Sequence, residues 1–289
     1  MILLLAILAL VVIGIGCAIR LLTRPMTCCL TFDDGLKVHA EIAAPLLEKF
    51  GWRGTFNIPT SFMDPSKRNL TACQANDCRL TGHEDNLMDW QDVNGLLASG
   101  HEVYPHTLEH ADLLQLEKAG SPSEIRRQIR EAKSDFIRHT RTIPAFFCSP
   151  HNSTSPLIEK LIHDNGMEIL GLCRANYGSV VAAENQLPID EYLRLQHRQG
   201  ASSADIAIHG IDRTRGGWRP FETVADFEQF LEKIKTVEAE GLVRLTTYSR
   251  AHRRHTALAP FLRLSDRMCA KLRREVYSFA NRHSSPVRR

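Results

Sequence analysis

The chain has 289 residues, 43% hydrophobic and 24% charged, with a net charge of only +3. That length and composition suit a folded domain with a full-sized core, and exclude disordered, collagen-like and disulfide-stapled miniprotein classes. The near-neutral sum hides an asymmetry: residues 250–289 carry 11 basic and 2 acidic side chains, leaving 25 basic against 31 acidic in the rest, an acidic body with a basic tail.

From Ile2 to Ile19 every residue is apolar, Gly or Cys. A helix of that length reaches about 27 Å, close to the ~30 Å thickness of the hydrocarbon core. Residues 2–22 are therefore expected to form an uncleaved single-pass membrane anchor, within a segment 1–24, since no basic stretch precedes them and no small-x-small cleavage site follows. Arg20 and Arg24 behind the span favour a cytoplasmic domain by the positive-inside rule. Met26 opens the first strand, and translation starting there would give a soluble chain.

Residues 25–249 alternate strand and helix patterns without linkers or repeats, which predicts one α/β domain with a largely parallel sheet. Strands are expected at 26–32, 54–58, 101–105, 144–148, 168–172, 204–209 and 242–246. Between them apolar residues recur at helical spacing, as in Ile42/Leu46/Leu47/Phe50, Ile125/Ile129/Phe136 and Phe227/Phe230/Leu231/Ile234. Such a pattern fits a barrel or an open doubly wound sheet, and periodicity does not choose between them. In the tail, 250–289, Phe261, Leu262, Met268, Cys269, Leu272 and Val276 fall near one helical face, suited to packing on the domain or to an anionic membrane surface. The acidic body and the lack of a recognition motif argue against nucleic acid as a partner. Eight cysteines show no zinc-finger spacing; Cys73 and Cys78 are plausible local partners, as a disulfide or as two thiols.

Chemistry concentrates at predicted strand ends. Thr31-Phe32-Asp33-Asp34-Gly35 closes the first strand, and adjacent carboxylates serve one site only where the strand ends and the backbone bends, as Gly35 permits. The alternative is an Asp-Asp-Gly turn capping the next helix. His106 and His110, four apart after the third strand, share a face if the segment turns helically, as a common metal ion requires. With 13 His in the chain such a pair is weak alone; beside Asp34 it becomes a facial ligand set. His101 reads as a packed or hydrogen-bonded histidine at a strand start. His209, at the end of the strand Asp205-Ile-Ala-Ile, stands where a proton donor would, or is a structural histidine.

Taken together, Leu30-Thr-Phe-Asp33-Asp34-Gly35, Gly54-Thr-Phe56, Trp90, Gly100-His-Glu-Val103 leading into His106-Thr-x-x-His110, Phe146-Phe-Cys-Ser-Pro150-His and Ile206-Ala-Ile-His209 resemble the polysaccharide deacetylase family, the chitooligosaccharide deacetylase homology domain of carbohydrate esterase family 4. The similarity runs in order from about Met26 to about Thr247. It implies a distorted (β/α) barrel of about seven parallel strands and metal-dependent removal of acetyl groups from an N-acetylated glycan or amino sugar. By position it implies Asp34, His106 and His110 as ligands of one divalent ion, zinc by default with cobalt, nickel or manganese as alternatives. It also implies Asp33 as general base, His209 as general acid, and a backbone donor near His151 for the oxyanion. Pro150, His151, Arg174 and Trp218 are candidate substrate contacts. The family's function favours an extracytoplasmic domain, against the charge rule.

The pattern is broken at Cys148, where many members carry an Arg that orients the base, at His151-Asn152 after the Pro, and at Ala207, where a larger residue lines the acetyl pocket. No clear counterpart appears for the acidic and tryptophan motif behind the catalytic His. These departures leave two alternatives open: a catalytically weak glycan-binding homologue, or a hydrolase of another small amide or formamide.

Overall fold

The computed structural model describes residues 25–68, 86–170, 174–177, 187–199 and 201–253. Strand β1 (Met26–Phe32) is buried along its whole length, as its apolar Met-Thr-Cys-Cys-Leu-Thr-Phe run demands of a strand covered on both faces. Around it lie β2 (Thr55–Ile58), β3 (Glu102–Pro105), β6 (Arg174–Tyr177), β7 (Ser203–Ile208) and β8 (Val243–Leu245), in the order β3-β2-β1-β7-β6 with β8 also on β1. Every pairing is parallel. One edge of β1 belongs to β7 over Thr27–Phe32, while the other is shared, β8 taking Met26–Cys28 and β2 taking Thr31–Phe32. β4 (Phe146–Phe147) and β5 (Glu168–Ile169) form a separate parallel pair. It adjoins β3 through the Cys148 N–H, which donates to the Pro105 carbonyl at 3.0 Å.

Helices α1 (Ala44–Lys49), α2 (Trp90–Ala98), α3 (Leu113–Lys118), α4 (Pro122–Thr140), α5 (Pro156–Asp164), α6 (Ile189–Arg198) and α7 (Val224–Ala239) fill the connections. Side-chain caps fix several starts: Asp89 and Thr223 form capping boxes with Asp92 and Asp226, and Asp112 and Ser155 cap α3 and α5. The main core joins Leu30, Phe32 and Phe56 of the sheet to Leu47, Val93, Phe227, Leu231 and Ile234 of the helices. A second core packs Phe147 and Ile158, Leu161 and Ile162 against Ile125 and Ile129 of α4.

Each expected strand has a counterpart, and β6 is an additional one. Residues 248–253 are helical, with Tyr248 packed edge-on against Phe146 at 5.0 Å. The proposed anchor, residues 2–22, lies outside the described residues, as do Cys73, Cys78 and the tail beyond 253. Among the described residues no helix is long and apolar enough to cross a membrane. Cys28, Cys29 and Cys148 are buried and form no disulfide.

Candidate active site and metal centre

The chemistry-bearing residues gather at the carboxyl ends of the strands, where parallel α/β folds expose loop-borne groups. The Asp33 N–H still pairs with the Ile208 carbonyl of β7 at 3.1 Å. The backbone then turns left-handed at Asp34 (φ 75°) and Gly35 (φ 69°). Asp tolerates this region; at Gly35 a side chain would in addition stand 2.7 Å from Met63 Cε. The turn brings both carboxylates toward the His106 ring instead of onto opposite faces.

His106 follows β3 directly, and His110 joins it by a route other than the helical turn expected from their spacing. Residues 106–112 contain no helix; Thr107 (φ 65°) and His110 (φ 58°) are themselves left-handed. For a β-branched Thr this is a rare state, held only where neighbours over-determine it. Here they do. The Thr107 and Leu108 carbonyls accept from the Thr60 and Ser61 N–H groups at 3.1 and 2.9 Å, and the Leu108 N–H donates to the Gln128 carbonyl at 3.1 Å. The buried Gln128 side chain completes the clamp: its Oε1 accepts from the Glu109 N–H at 3.0 Å, and its Nε2 donates to Glu109 and Glu124 at 2.7 and 3.0 Å.

The result is three converging, buried donors. His110 Nε2 lies 3.0 Å and His106 Nε2 3.7 Å from Asp34 Oδ1, and the ligand atoms of the three residues all fall within 4.8 Å of one another. Asp34 Oδ1 accepts no hydrogen bond, although it is buried. An orphaned carboxylate oxygen facing two imidazoles fits a divalent cation. Burial pushes the Asp34 carboxyl up, but His110, with His209 and His106 behind it, outweighs burial and holds it well below the usual range. Burial pushes His106 down to about 4, so its ring stays neutral as a ligand must. His106 Nδ1–H donates to the Cys148 carbonyl at 3.0 Å, leaving Nε2 as the acceptor nitrogen turned toward Asp34.

Beside this set, Asp33 Oδ1 accepts from Asn57 Nδ2 at 2.7 Å, and Asp33 Oδ2 lies 3.7 Å from His209 Nε2. His209 follows β7 with its side chain 16% exposed, nearer to solvent than the ligand rings. Its carbonyl accepts from Nε2 of the fully buried His39. Its ring meets the edge of Trp218 at 4.9 Å. Two glycines allow this approach: a Cβ on Gly217 (φ 101°) would stand 2.7 Å from Gly210 Cα, and one on Gly210 would stand 2.6 Å from Pro220 Cβ.

A family model described as polysaccharide deacetylase matches residues 22–170. The chain belongs to the polysaccharide deacetylase family. Solved structures agree on the fold. A pseudoenzyme of carbohydrate esterase family 4 from Bacillus anthracis superposes with a TM-score of 0.52 at 15% identity, covering 78% of this chain and 65% of its own. A mutant of that pseudoenzyme with restored enzymatic activity gives 0.52 at 16%, covering 78% and 67%. The peptidoglycan deacetylase PdaC from Bacillus subtilis gives 0.52 at 16%, covering 84% and 98%. No curated protein matches the sequence.

In this member of the family the remaining expected residues are placed unequally. Pro150 is buried, and His151 (φ 57°) sets its ring against His110 at 5.3 Å. Their loop is tied to the His110 loop through Ser153 Oγ, which donates to Asp112 Oδ1 at 2.8 Å. Trp218 is 36% exposed, with the Arg219 guanidinium 4.5 Å from its ring centre. Arg174 begins β6 opposite Asp205, three residues short of the strand ends that carry the site, so its backbone is not at the rim. His101 is a structural histidine: its Nδ1 accepts from the Gly54 N–H at 3.0 Å and its Nε2 lies 3.2 Å from Glu48. Sequence reading missed Asn57, His39 and Gln128. Their contacts are tertiary; an Asn inside an otherwise apolar buried strand was the one available signal.

Proposed function

We propose that this family member is a metal-dependent hydrolase that removes N-acetyl groups from a glycan or amino sugar, on a distorted (β/α) barrel. The convergence of the Asp34–His106–His110 set with the Asp33–His209 pair carries this reading. Asp34, His106 and His110 would hold the divalent ion, which when bound supplies a Lewis acid and makes water acidic enough to deprotonate near neutral pH. Asp33, oriented by the Asn57 amide, accepts the proton of the water that attacks the acetyl carbonyl carbon. The left-handed loop at His151 and Asn152 offers main-chain N–H groups for the developing oxyanion. His209 gives its proton to the departing nitrogen, so that the C–N bond does not re-form. Acetate and a free amine leave. Trp218, at the open edge beside His209, offers an aromatic face to a sugar ring.

Cys148 favours a second reading. Its thiol stands where the resemblance places an orienting cation, and the neutral Asn57 amide bonds Asp33, a weaker arrangement suited to a glycan-binding homologue with little turnover. Ala207, buried in β7, is smaller than the residue that the resemblance places in the acetyl pocket, which suits a different acyl group. The test is acetate release from N-acetylglucosamine oligomers by the full-length chain, with the metal stripped by a chelator and restored. Release that vanishes and returns with the metal supports the deacetylase. Tight oligomer binding without release supports the binding protein, and formate release from N-formyl substrates supports the small-amide hydrolase. We further propose residues 2–22 as a membrane anchor, tested by whether the protein resists salt and carbonate extraction from membranes.

A further inference from the structure

A second set of donors overlaps the first. The Asp33 carboxylate, the His106 imidazole and the Cys148 thiol also place their ligand atoms within 4.8 Å of one another, and all three residues are buried. Cys148 directly follows β4, fully buried and in no disulfide, and the hydrolytic chemistry assigns its thiol no task. Thiolate, imidazole and carboxylate together form a donor set softer than the two imidazoles and one carboxylate beside it, and softness of donors is what separates thiophilic cations from those that prefer oxygen.

We infer that Cys148, His106 and Asp33 form a second cation site, selective for thiophilic metals such as cadmium or copper(I), that competes with the Asp34–His106–His110 set. Competition follows from the shared ring. His106 Nδ1–H is committed to the Cys148 carbonyl at 3.0 Å, so the neutral imidazole has one lone pair, on Nε2. A cation that takes this nitrogen from one set denies it to the other. Ligation breaks the Cys148 S–H bond, forms an S–metal bond and releases the proton to solvent, with no change of oxidation state. It also occupies Asp33, so a thiophilic cation removes the proposed base and one ligand of the first site together. The cation held by Asp34 and the one held by Cys148 are thus alternatives, and the metals available would decide which state the protein adopts.

The test uses the full-length protein in mild detergent, stripped of metal and titrated separately with cadmium(II) and manganese(II), without any substrate. Cadmium should raise a sulfur-to-metal charge-transfer absorption that saturates at equimolar metal. In Cys148→Ser that band should disappear and cadmium affinity fall about tenfold or more, while manganese binding, read by electron paramagnetic resonance, persists. His110→Ala should do the reverse, losing manganese and keeping the sulfur band. Cys148→Ala gives the same comparison if the buried hydroxyl of the Ser variant disturbs folding. A band that survives in both Cys148 variants, or cadmium bound without a band, overturns the second site and leaves the first intact. Failure to bind either metal overturns both sites, and with them the metal-dependent reading above.

Discussion

The ligand side and the acid side of this site are built differently. Asp34, His106 and His110 are buried, and the loop that carries the two histidines is held by Thr60, Ser61 and Gln128 in left-handed conformations it would not adopt alone. His209 sits nearer the surface, anchored through its own carbonyl to His39 and touched by a loop tryptophan. Rigid support on one side and access on the other suit a preformed cation site whose substrate and leaving group come and go past His209.

Substitutions can break that contrast. The largest effect is expected from His110→Ala or Asp34→Ala, which should lower manganese affinity by more than about a hundredfold and abolish acetate release, since each removes a ligand where even an outer partner is worth 10–100-fold. Asp33→Asn should retain the metal while turnover falls about 10²–10⁴-fold, and His209→Gln should do the same. Metal loss in His209→Gln, measured by equilibrium dialysis, would merge the two sides into one. Gln128→Leu should weaken metal binding about tenfold and destabilise the fold by about 1–3 kcal/mol, because the Glu109 N–H loses its acceptor. Trp218→Ala should raise KM for oligomers several-fold with kcat nearly unchanged, the mark of a lost binding contact outside the chemistry.

The smallest effect is a pH dependence of the metal-free protein. Burial holds both His39 and His106 at about 4, below the ordinary 6.5. The unfolded chain therefore binds more protons between those values, and stability should be full above about pH 6.5 and decline as pH falls toward 4. Bound metal should keep His106 unprotonated below pH 4 as well, so that its part of the decline extends to lower pH while that of His39 does not change. Melting curves from pH 7 to below 4, with and without metal, separate the two.

Much of this was legible because apolar runs and turn chemistry agree. The strand Met26–Phe32 is apolar enough to be central, and Asp33-Asp34-Gly35 marks where it must bend. The β6 strand was hidden because Arg-Ala-Asn-Tyr is short, polar and at a sheet edge, where little burial is required of it. The route from His106 to His110 was hidden for a stronger reason: local propensity opposes a left-handed Thr107, and the bonds that override it come from residues 60, 61 and 128. His39 and His209 are 170 positions apart, a distance no local pattern spans.

The shared edge of β1 also governs when the site can exist. β1 is among the first parts of the domain to be synthesised, yet its partners Ser203–Ile208 and Val243–Leu245 are among the last. Until β7 arrives, the Asp33 N–H lacks its Ile208 acceptor and the turn at Asp34 has no anchor. Pairings this distant in sequence make folding slow and leave a bare apolar strand waiting. A chain truncated before residue 243 should therefore aggregate rather than persist as an inactive fold, and no partial domain should circulate with a half-built cation site.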